Sequence, residues 1–307
     1  MLSMPLWQRI ADRPAARHGR IGGIVRVEGG QIHFLTDGPA TPVTPAGREP
    51  SEDTTPIVLL HGASGNLRDM ALSLLPLLAR NHRVIALDRP GFGHSSPVAN
   101  GHLLSSQVRI LRRAIRRLGH YRFHLVGHSF SGALALNWAL AYPDEVASLG
   151  IVSGATMDWG GALEGFYRLS SAPGIGYLMS HLAPAAPERM IRSTLEDIFH
   201  PAAVPAGYRR RAGIELALRP RTFRLNTRSV NALHAQIRRQ IPSYSGIASP
   251  TAVIHGVEDC VIPAGIHARP LSEALPNARL TLIPGAGHMP HHTHTERVAA
   301  ALEAAIT

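Results

Sequence analysis

"LVGHSFSGALAL", residues 125–136, is an apolar run that meets a Gly-His-Ser turn and then continues as a helix of small residues. A strand ending at Val126 places the turn at Gly127–Ser129 and puts Ser131 inside the first helical turn. In so tight a reversal the strand and helix backbones nearly touch, so small residues are needed two before and two after the central serine. Gly127 and Ser131 meet that condition around Ser129, while Ser129 and Ala133 would meet it around Ser131. Sterics leave both serines open; strand register selects Ser129. Its hydroxyl is expected to stand at the carboxyl edge of a sheet, facing the amides of a helix N-terminus.

The flanking sequence has the rhythm such a turn requires. "IVLLHG" (57–62), "RVIALD" (83–88), "FHLVGH" (123–128) and "VASLGIVSG" (146–154) read as buried strands. Helical patterns cover 67–80, 103–118 and 130–142 between them. Continuous apolar strands alternating with helices predict a mostly parallel sheet covered on both faces. The rhythm stops near Ala155 and resumes at "TAVIHG" (251–256), followed by "RLTLIPG" (279–285) and a closing helix. The intervening residues are helix-like segments broken by Pro173, Pro184, Pro187, Pro201, Pro205 and Pro220. The expected organisation is a core of residues 1–154 and 247–307 carrying an inserted helical cap, 155–246. Residues 23–35 predict two short alternating strands, and the Pro/Thr/Glu-rich stretch 38–56 an exposed loop.

Composition narrows the classes. The chain has 307 residues, 45% of them hydrophobic, with a formal net charge of +10. No apolar stretch has the length of a bilayer span. The N-terminal segment lacks the continuous apolar run of a secretory signal, and the single cysteine, Cys260, permits no intrachain disulfide, so a cytoplasmic location is expected. Every basic residue is arginine, which reads as compositional skew more than as a selected nucleic-acid surface. On the helix 103–118, Arg109, Arg112, Arg113, Arg116 and Arg117 fall opposite Val108, Leu111, Ile115 and Leu118. That is first a solvated face, and secondarily a surface for weak association with an anionic membrane, together with the Trp7-containing N-terminus. No groove-reading motif supports nucleic-acid binding.

Five blocks in order carry a resemblance. "LLHGASGN" (59–66) and "DRPGFGHS" (88–95) each follow a strand, "GHSFSG" (127–132) is the tight turn, and "HGVEDCVIP" (255–263) and "GAGHMPH" (285–291) lie near the end. Together they resemble the α/β-hydrolase superfamily, in its Ser-His-Asp esterase and carbon–carbon bond hydrolase branch with a helical cap. The resemblance covers the chain from about residue 25 onward apart from the cap, and implies an eight-stranded sheet. It departs at Ser131, where the pattern has glycine; a slightly wider elbow is expected.

The resemblance implies Ser129 as nucleophile, His288 as general base and Asp259 as the acid that orients it. The residue types fit that chemistry. A serine hydroxyl needs an imidazole within hydrogen-bond reach, and the imidazole needs a carboxylate to fix its tautomer. An oxyanion hole is expected from the backbone N–H groups of Ala63 and Phe130, aimed at the developing charge. Asp158 is a rival for the acid, Glu258 should point away from the site, and Cys260 lies outside the elbow. Asp88 and His94 are expected to organise their own turn and His128 to brace the elbow. His288, His291, His292 and His294 offer metal-binding side chains, but most of this cluster reads as an exposed loop and helix start with a capping box from Thr293 to Glu296. No cofactor or metal is called for.

The reaction implied is hydrolysis of a carboxylic ester or thioester through an acyl-enzyme on Ser129. Hydrolysis of a carbon–carbon bond in ring-cleavage products is the runner-up, and a non-catalytic accessory role the third reading. Trp159, Phe166, Tyr167, Leu178, Met179 and Phe199 of the cap suggest an apolar or aromatic acyl group. Twelve arginines against six acids between residues 155 and 246 are compatible with an anionic substrate.

Overall fold

A computed structural model of the chain describes residues 18–39, 55–160, 164–172 and 174–306. Trp7 and most of the loop expected over 38–56 lie outside the described residues. The strands are β1 (Gly23–Val27), β2 (Gly30–Asp37), β3 (Ile57–Leu60), β4 (Val84–Leu87), β5 (Phe123–His128), β6 (Val146–Val152), β7 (Thr251–Gly256) and β8 (Ala278–Ile283). They form one sheet in the order β1-β2-β4-β3-β5-β6-β7-β8. The β1–β2 and β2–β4 pairings are antiparallel; all others are parallel.

The continuous apolar strands are explained by burial on both faces. In β3, Val58 and Leu60 enter one core while Ile57 and Leu59 enter the other. In β4 the pairs Ile85/Leu87 and Val84/Ala86 divide the same way, as the period of two demands. Two helical layers cover these faces. The helices in chain order are α1 (Leu67–Ala71), α2 (Leu74–Leu78), α3 (Leu104–Arg117), α4 (Phe130–Ala141), α5 (Glu164–Ser171), α6 (Ile175–Leu182), α7 (Glu188–Phe199), α8 (Tyr208–Ala212), α9 (Glu215–Leu218), α10 (Pro220–Gln240), α11 (Ala264–Ala274), α12 (Pro290–Thr293) and α13 (Thr295–Glu303). Helices α3, α4 and α11 and the C-terminal half of α10 supply one core, and α1, α2 and α13 the other.

One expected helix is two. The pattern over 67–80 breaks at Leu72–Ser73, between α1 and α2. Pro76 is the reason: it has no N–H for Leu72 O, and its ring would crowd that carbonyl in a continuous helix. Ser73 turns its hydroxyl back onto Asp69 O at 2.9 Å, closing the first segment.

Much of the arginine face of α3 is answered internally. Arg112 and Arg116 both grip the buried carboxylate of Glu145, Arg112 also stacks on Tyr142, and Arg113 reaches Glu28. Only Arg109 and Arg117 on this face form no ion pair among the described residues.

Between β6 and β7 the described residues contain helices and no strand. Phe199, Leu195 and Ile191 of α7 and Tyr208 of α8 make a small separate cluster that rests on Met289. Leu233 and Ile237 of α10, together with Tyr244, belong instead to the main core. Tyr244 Oη donates to Thr156 O at 2.8 Å, joining the segment that leaves the sheet to the one that returns. No helix among the described residues is long and apolar enough to cross a membrane.

Candidate active site

Ser129 sits between β5 and α4 with φ 53° and ψ −117°, a region that L-residues avoid unless neighbours impose it. Three backbone bonds impose it here. Ser129 N donates to Val152 O at 3.0 Å, while Ser129 O accepts from Gly132 N at 2.9 Å and Ala155 N at 3.1 Å. Gly127 is obligatory, because a Cβ there would lie 2.1 Å from Ser131 O. The departure at Ser131 has a use: its buried hydroxyl donates to His61 O at 2.6 Å, tying the elbow to the end of β3. In Gly127→Ala the carbonyl cannot yield without opening the elbow. A loss of roughly 3 kcal/mol in denaturant stability is expected, and unchanged stability would show that the elbow tolerates a wider turn.

The three residues expected to act together do meet. His288 Nε2 lies 3.0 Å from Ser129 Oγ, and His288 Nδ1 lies 2.8 Å from Asp259 Oδ2. The carboxylate can only accept, so Nδ1 carries the proton and Nε2 presents its lone pair to the hydroxyl. Asp259 Oδ1 takes the amides of Val261 and Ile262 at 3.0 and 2.8 Å. His255 also reaches Asp259, its Nε2 lying 3.1 Å from Oδ2. Burial would raise the Asp259 carboxyl, but the hydrogen bonds from His255 and His288 hold it well below the ordinary carboxylate range. It stays ionised.

The competing residues are placed elsewhere. Asp158 is exposed and engaged with His234 and Arg238. Glu258 points outward and caps Gly285 N. Cys260 is exposed and outside the elbow. Asp88 organises its turn as expected, accepting from Leu67 N and His94 N at 2.7 Å and pairing with His33 Nδ1 at 2.6 Å. His128 braces the elbow, with Nε2 3.0 Å from His288 O. Phe199 is core of the helical insertion, Leu178 is exposed, and Trp159 packs between His234 and His267. The side chain of Phe166 lies outside the described residues.

The two amides expected to bind an oxyanion flank the serine. Gly62 abuts Ser129 closely enough that a Cβ on it would be 3.1 Å from the serine Cβ. Ala63 N is the next atom along that peptide, and Phe130 N opens α4. Neither amide has a backbone acceptor among the described residues. The next residue, Ser64, is at φ 53° and is held by Asn226 of α10, whose Oδ1 accepts from Ser64 N at 2.8 Å.

The histidine cluster corrects one expectation. His291 and His292 are buried side chains, not an exposed loop. Asp69 of α1 draws them in: its carboxylate takes Tyr208 Oη at 2.6 Å, His292 Nε2 at 2.7 Å and His291 Nε2 at 3.1 Å. The box from Thr293 to Glu296 does not form either. The short turn α12 shifts the next helix start to Thr295, and Thr293 Oγ1 folds back onto Met289 O. Asp69, His128 and His291 are close enough together to hold a metal ion. Asp69 already accepts from three donors and His128 Nε2 is on His288 O, whereas His128 Nδ1 and His291 Nδ1 are buried with no hydrogen-bond partner among the described residues.

A serine elbow at the carboxyl edge of this sheet, with its acid and histidine just past strands β7 and β8, points to one family, and the comparison agrees. The profile of the alpha/beta hydrolase fold family matches residues 55–295. The chain belongs to this family. Among curated relatives, it is 32% identical over 250 residues to the dihydrolipoyllysine-residue acetyltransferase component of an acetoin cleaving system of Pseudomonas putida. That match takes in 80% of this chain but only 62% of the relative. A 2-hydroxy-6-oxononadienedioate/2-hydroxy-6-oxononatrienedioate hydrolase of Cupriavidus pinatubonensis is 28% identical, over 78% of this chain and 82% of its own. The crystal structure of an alpha/beta hydrolase fold protein from Burkholderia ambifaria superposes with a TM-score of 0.73 at 20% identity, covering 93% of this chain and 98% of that one.

Within the α/β-hydrolase frame, the sequence missed His255, Asn226 and Asp69. His255 carried a signal, lying four residues before Asp259 at the end of the same strand. The others act across separations that no local pattern encodes.

Proposed function

We propose that this α/β hydrolase cleaves a carboxylic ester or thioester through an acyl-enzyme on Ser129. The observation that carries the reading is the series Ser129 Oγ, His288 Nε2, His288 Nδ1, Asp259 Oδ2, with separations of 3.0 and 2.8 Å. His288 takes the hydroxyl proton as Ser129 attacks the acyl carbon, and Asp259 stabilises the imidazolium. Ala63 N and Phe130 N receive the negative charge on the carbonyl oxygen. His288 then protonates the leaving oxygen or sulfur, and water, deprotonated by the same imidazole, releases the acid. The helical insertion is read as a cap that selects an apolar or aromatic acyl group.

A second reading has its own support. The Cupriavidus pinatubonensis relative is named as a hydrolase of 2-hydroxy-6-oxo dienedioates and trienedioates. A carbon–carbon bond hydrolase would use the same serine–histidine pair on a vinylogous keto acid. A panel of p-nitrophenyl esters from C2 to C12, acyl thioesters and a 2-hydroxy-6-oxodienoate separates the two. Ester or thioester turnover with a pre-steady-state burst is the expected result. A kcat/KM at least 100-fold higher for the dienoate would transfer the reading to the runner-up. No turnover of any class would favour a binding role.

A further inference from the structure

Arg89, directly after Asp88 at the end of β4, is fully buried. Among the described residues its guanidinium meets no carboxylate. Nη2 donates to Gly62 O at 3.0 Å and Nη1 to Gln107 Oε1 at 3.3 Å. The planar group lies 4.2 Å from the ring centroids of both Phe92 and Phe130. Burial brings its pKa down to about 9, so it is still a cation at neutral pH. Removing a charge from water without a counter-ion is costly, and two aromatic faces offset only part of that cost.

What the cation touches explains its retention. Gly62 C=O and Ala63 N–H are the two ends of one peptide unit, and Phe130 carries the second candidate oxyanion amide. A single guanidinium therefore touches the carbonyl end of one candidate amide's peptide and the side chain of the residue that carries the other. The Gly62 carbonyl has a second donor as well. His61 Nε2 accepts from Arg89 N at 3.0 Å, which leaves Nδ1 protonated to donate to Gly62 O at 2.9 Å. Burial, then the neighbouring Arg89 charge, lowers the His61 pKa to about 4, so that tautomer is neutral and fixed. Two donors on a carbonyl draw electron density toward its oxygen and strengthen the N–H at the other end as a donor. Holding the peptide in place also removes reorganisation at the moment of reaction.

We propose that Arg89 is the positioning residue of the oxyanion hole: through Gly62 O and the Phe130 ring it aims the Ala63 and Phe130 amides at the substrate oxygen and places a positive charge behind them. This rests on the serine-hydrolase reading above. Loss of the guanidinium should weaken stabilisation of the tetrahedral state while leaving ground-state binding nearly intact.

The test compares wild type, Arg89→Met and Arg89→Lys at 25 °C. Three quantities are measured: the second-order rate of fluorophosphonate labelling, the affinity for butylboronic acid, and KM against kcat for the best p-nitrophenyl ester. In Arg89→Met, labelling rate, boronate affinity and kcat are each expected to fall about 10- to 100-fold, somewhat less than for outright loss of an oxyanion donor, with KM changed less than threefold. Arg89→Lys should recover part of each, since an ammonium can reach Gly62 O but cannot stack on both rings. A purely structural arginine would lower the melting temperature and leave the labelling rate and boronate affinity of the folded variant at wild-type values; that result overturns the proposal. If Arg89→Met does not fold, Arg89→Lys decides on the same readouts: a deficit supports the role, and wild-type values overturn it. A wild type that neither labels on Ser129 nor binds boronate overturns both this proposal and the hydrolase reading. A labelled, active wild type with unaffected variants overturns only the role of Arg89.

Discussion

Replacing Ser129 by alanine is expected to abolish covalent capture of a fluorophosphonate and to lower kcat by roughly 10⁵-fold or more. The size follows from what is lost. Without Oγ the reaction must use water directly, and His288 Nε2 has no hydroxyl at 3.0 Å to deprotonate. What survives are the amides of Ala63 and Phe130, which alone retain a modest acceleration. The backbone should not notice the change. The φ of 53° at residue 129 is held by backbone bonds to Val152, Gly132 and Ala155, none of which involves the hydroxyl. Melting temperature is therefore expected to stay close to wild type. The measurement is intact mass after labelling, with turnover of the best substrate in parallel. An adduct that persists in Ser129→Ala would remove Ser129 from the nucleophile role and direct attention to Ser131, whose hydroxyl is turned onto His61 O.

A steep loss of stability between pH 7 and pH 5 is the other large effect. Burial brings the imidazoles of His61, His124, His267 and His291 each down to about 4. In the unfolded chain they take up protons near pH 6.5. From pH 6.5 to about 4 the unfolded state binds protons that the folded state refuses, so stability is complete above this window and falls as pH drops through it. Each group contributes about 1.4 kcal/mol per pH unit at most, and the four together on the order of 4–5 kcal/mol by pH 5.5. That is comparable to the whole stability of many domains. The depressed carboxyls of Asp69, Asp88 and Asp259 do not enter this window, because their contribution is lost only below the ordinary carboxylate value near 4. Denaturant midpoints at pH 7.5, 6.5 and 5.5 measure the slope, and His124→Asn should flatten it in part, since His128 and the other depressed histidines still contribute. Midpoints that do not move would mean that the buried imidazoles take up protons in the folded protein as readily as in the unfolded chain.

What could be read in advance divides along a physical line. Strands β3 to β7 were legible because burial on both faces forces unbroken apolar runs, and turns such as Gly127–Ser129 announce themselves by size. Ser129 was legible from strand register, while Asp259 and His288 came from the family resemblance, with which their places after strands at the same edge of the sheet agree. The break at Ser73 was visible in Pro76 but was outweighed by the apolar period around it. Asp69 was not legible as the partner of His291 and His292, because the pairing spans more than 200 residues and depends on how α1 and α12 are stacked. Arg89 looked like part of a compositional excess of arginine; only its position between Phe92 and Phe130 separates it from the solvated ones. The proposed capping box failed because a four-residue turn interposed itself, a choice made by packing and not by propensity.

The hydrogen bond from Tyr244 Oη to Thr156 O has a consequence for how such a protein diversifies. The excursion between β6 and β7 is closed at its base by this bond, like a sleeve sewn at the cuff. Helix α10 enters the main core and holds Ser64, whereas α5 and α6 pack mainly on α10, so these two can be lengthened, shortened or exchanged without altering strand order or the spacing of Ser129, Asp259 and His288. Change can therefore be acquired by recombination in one stretch of chain, while the sheet and the Ser129, Asp259 and His288 grouping are inherited whole.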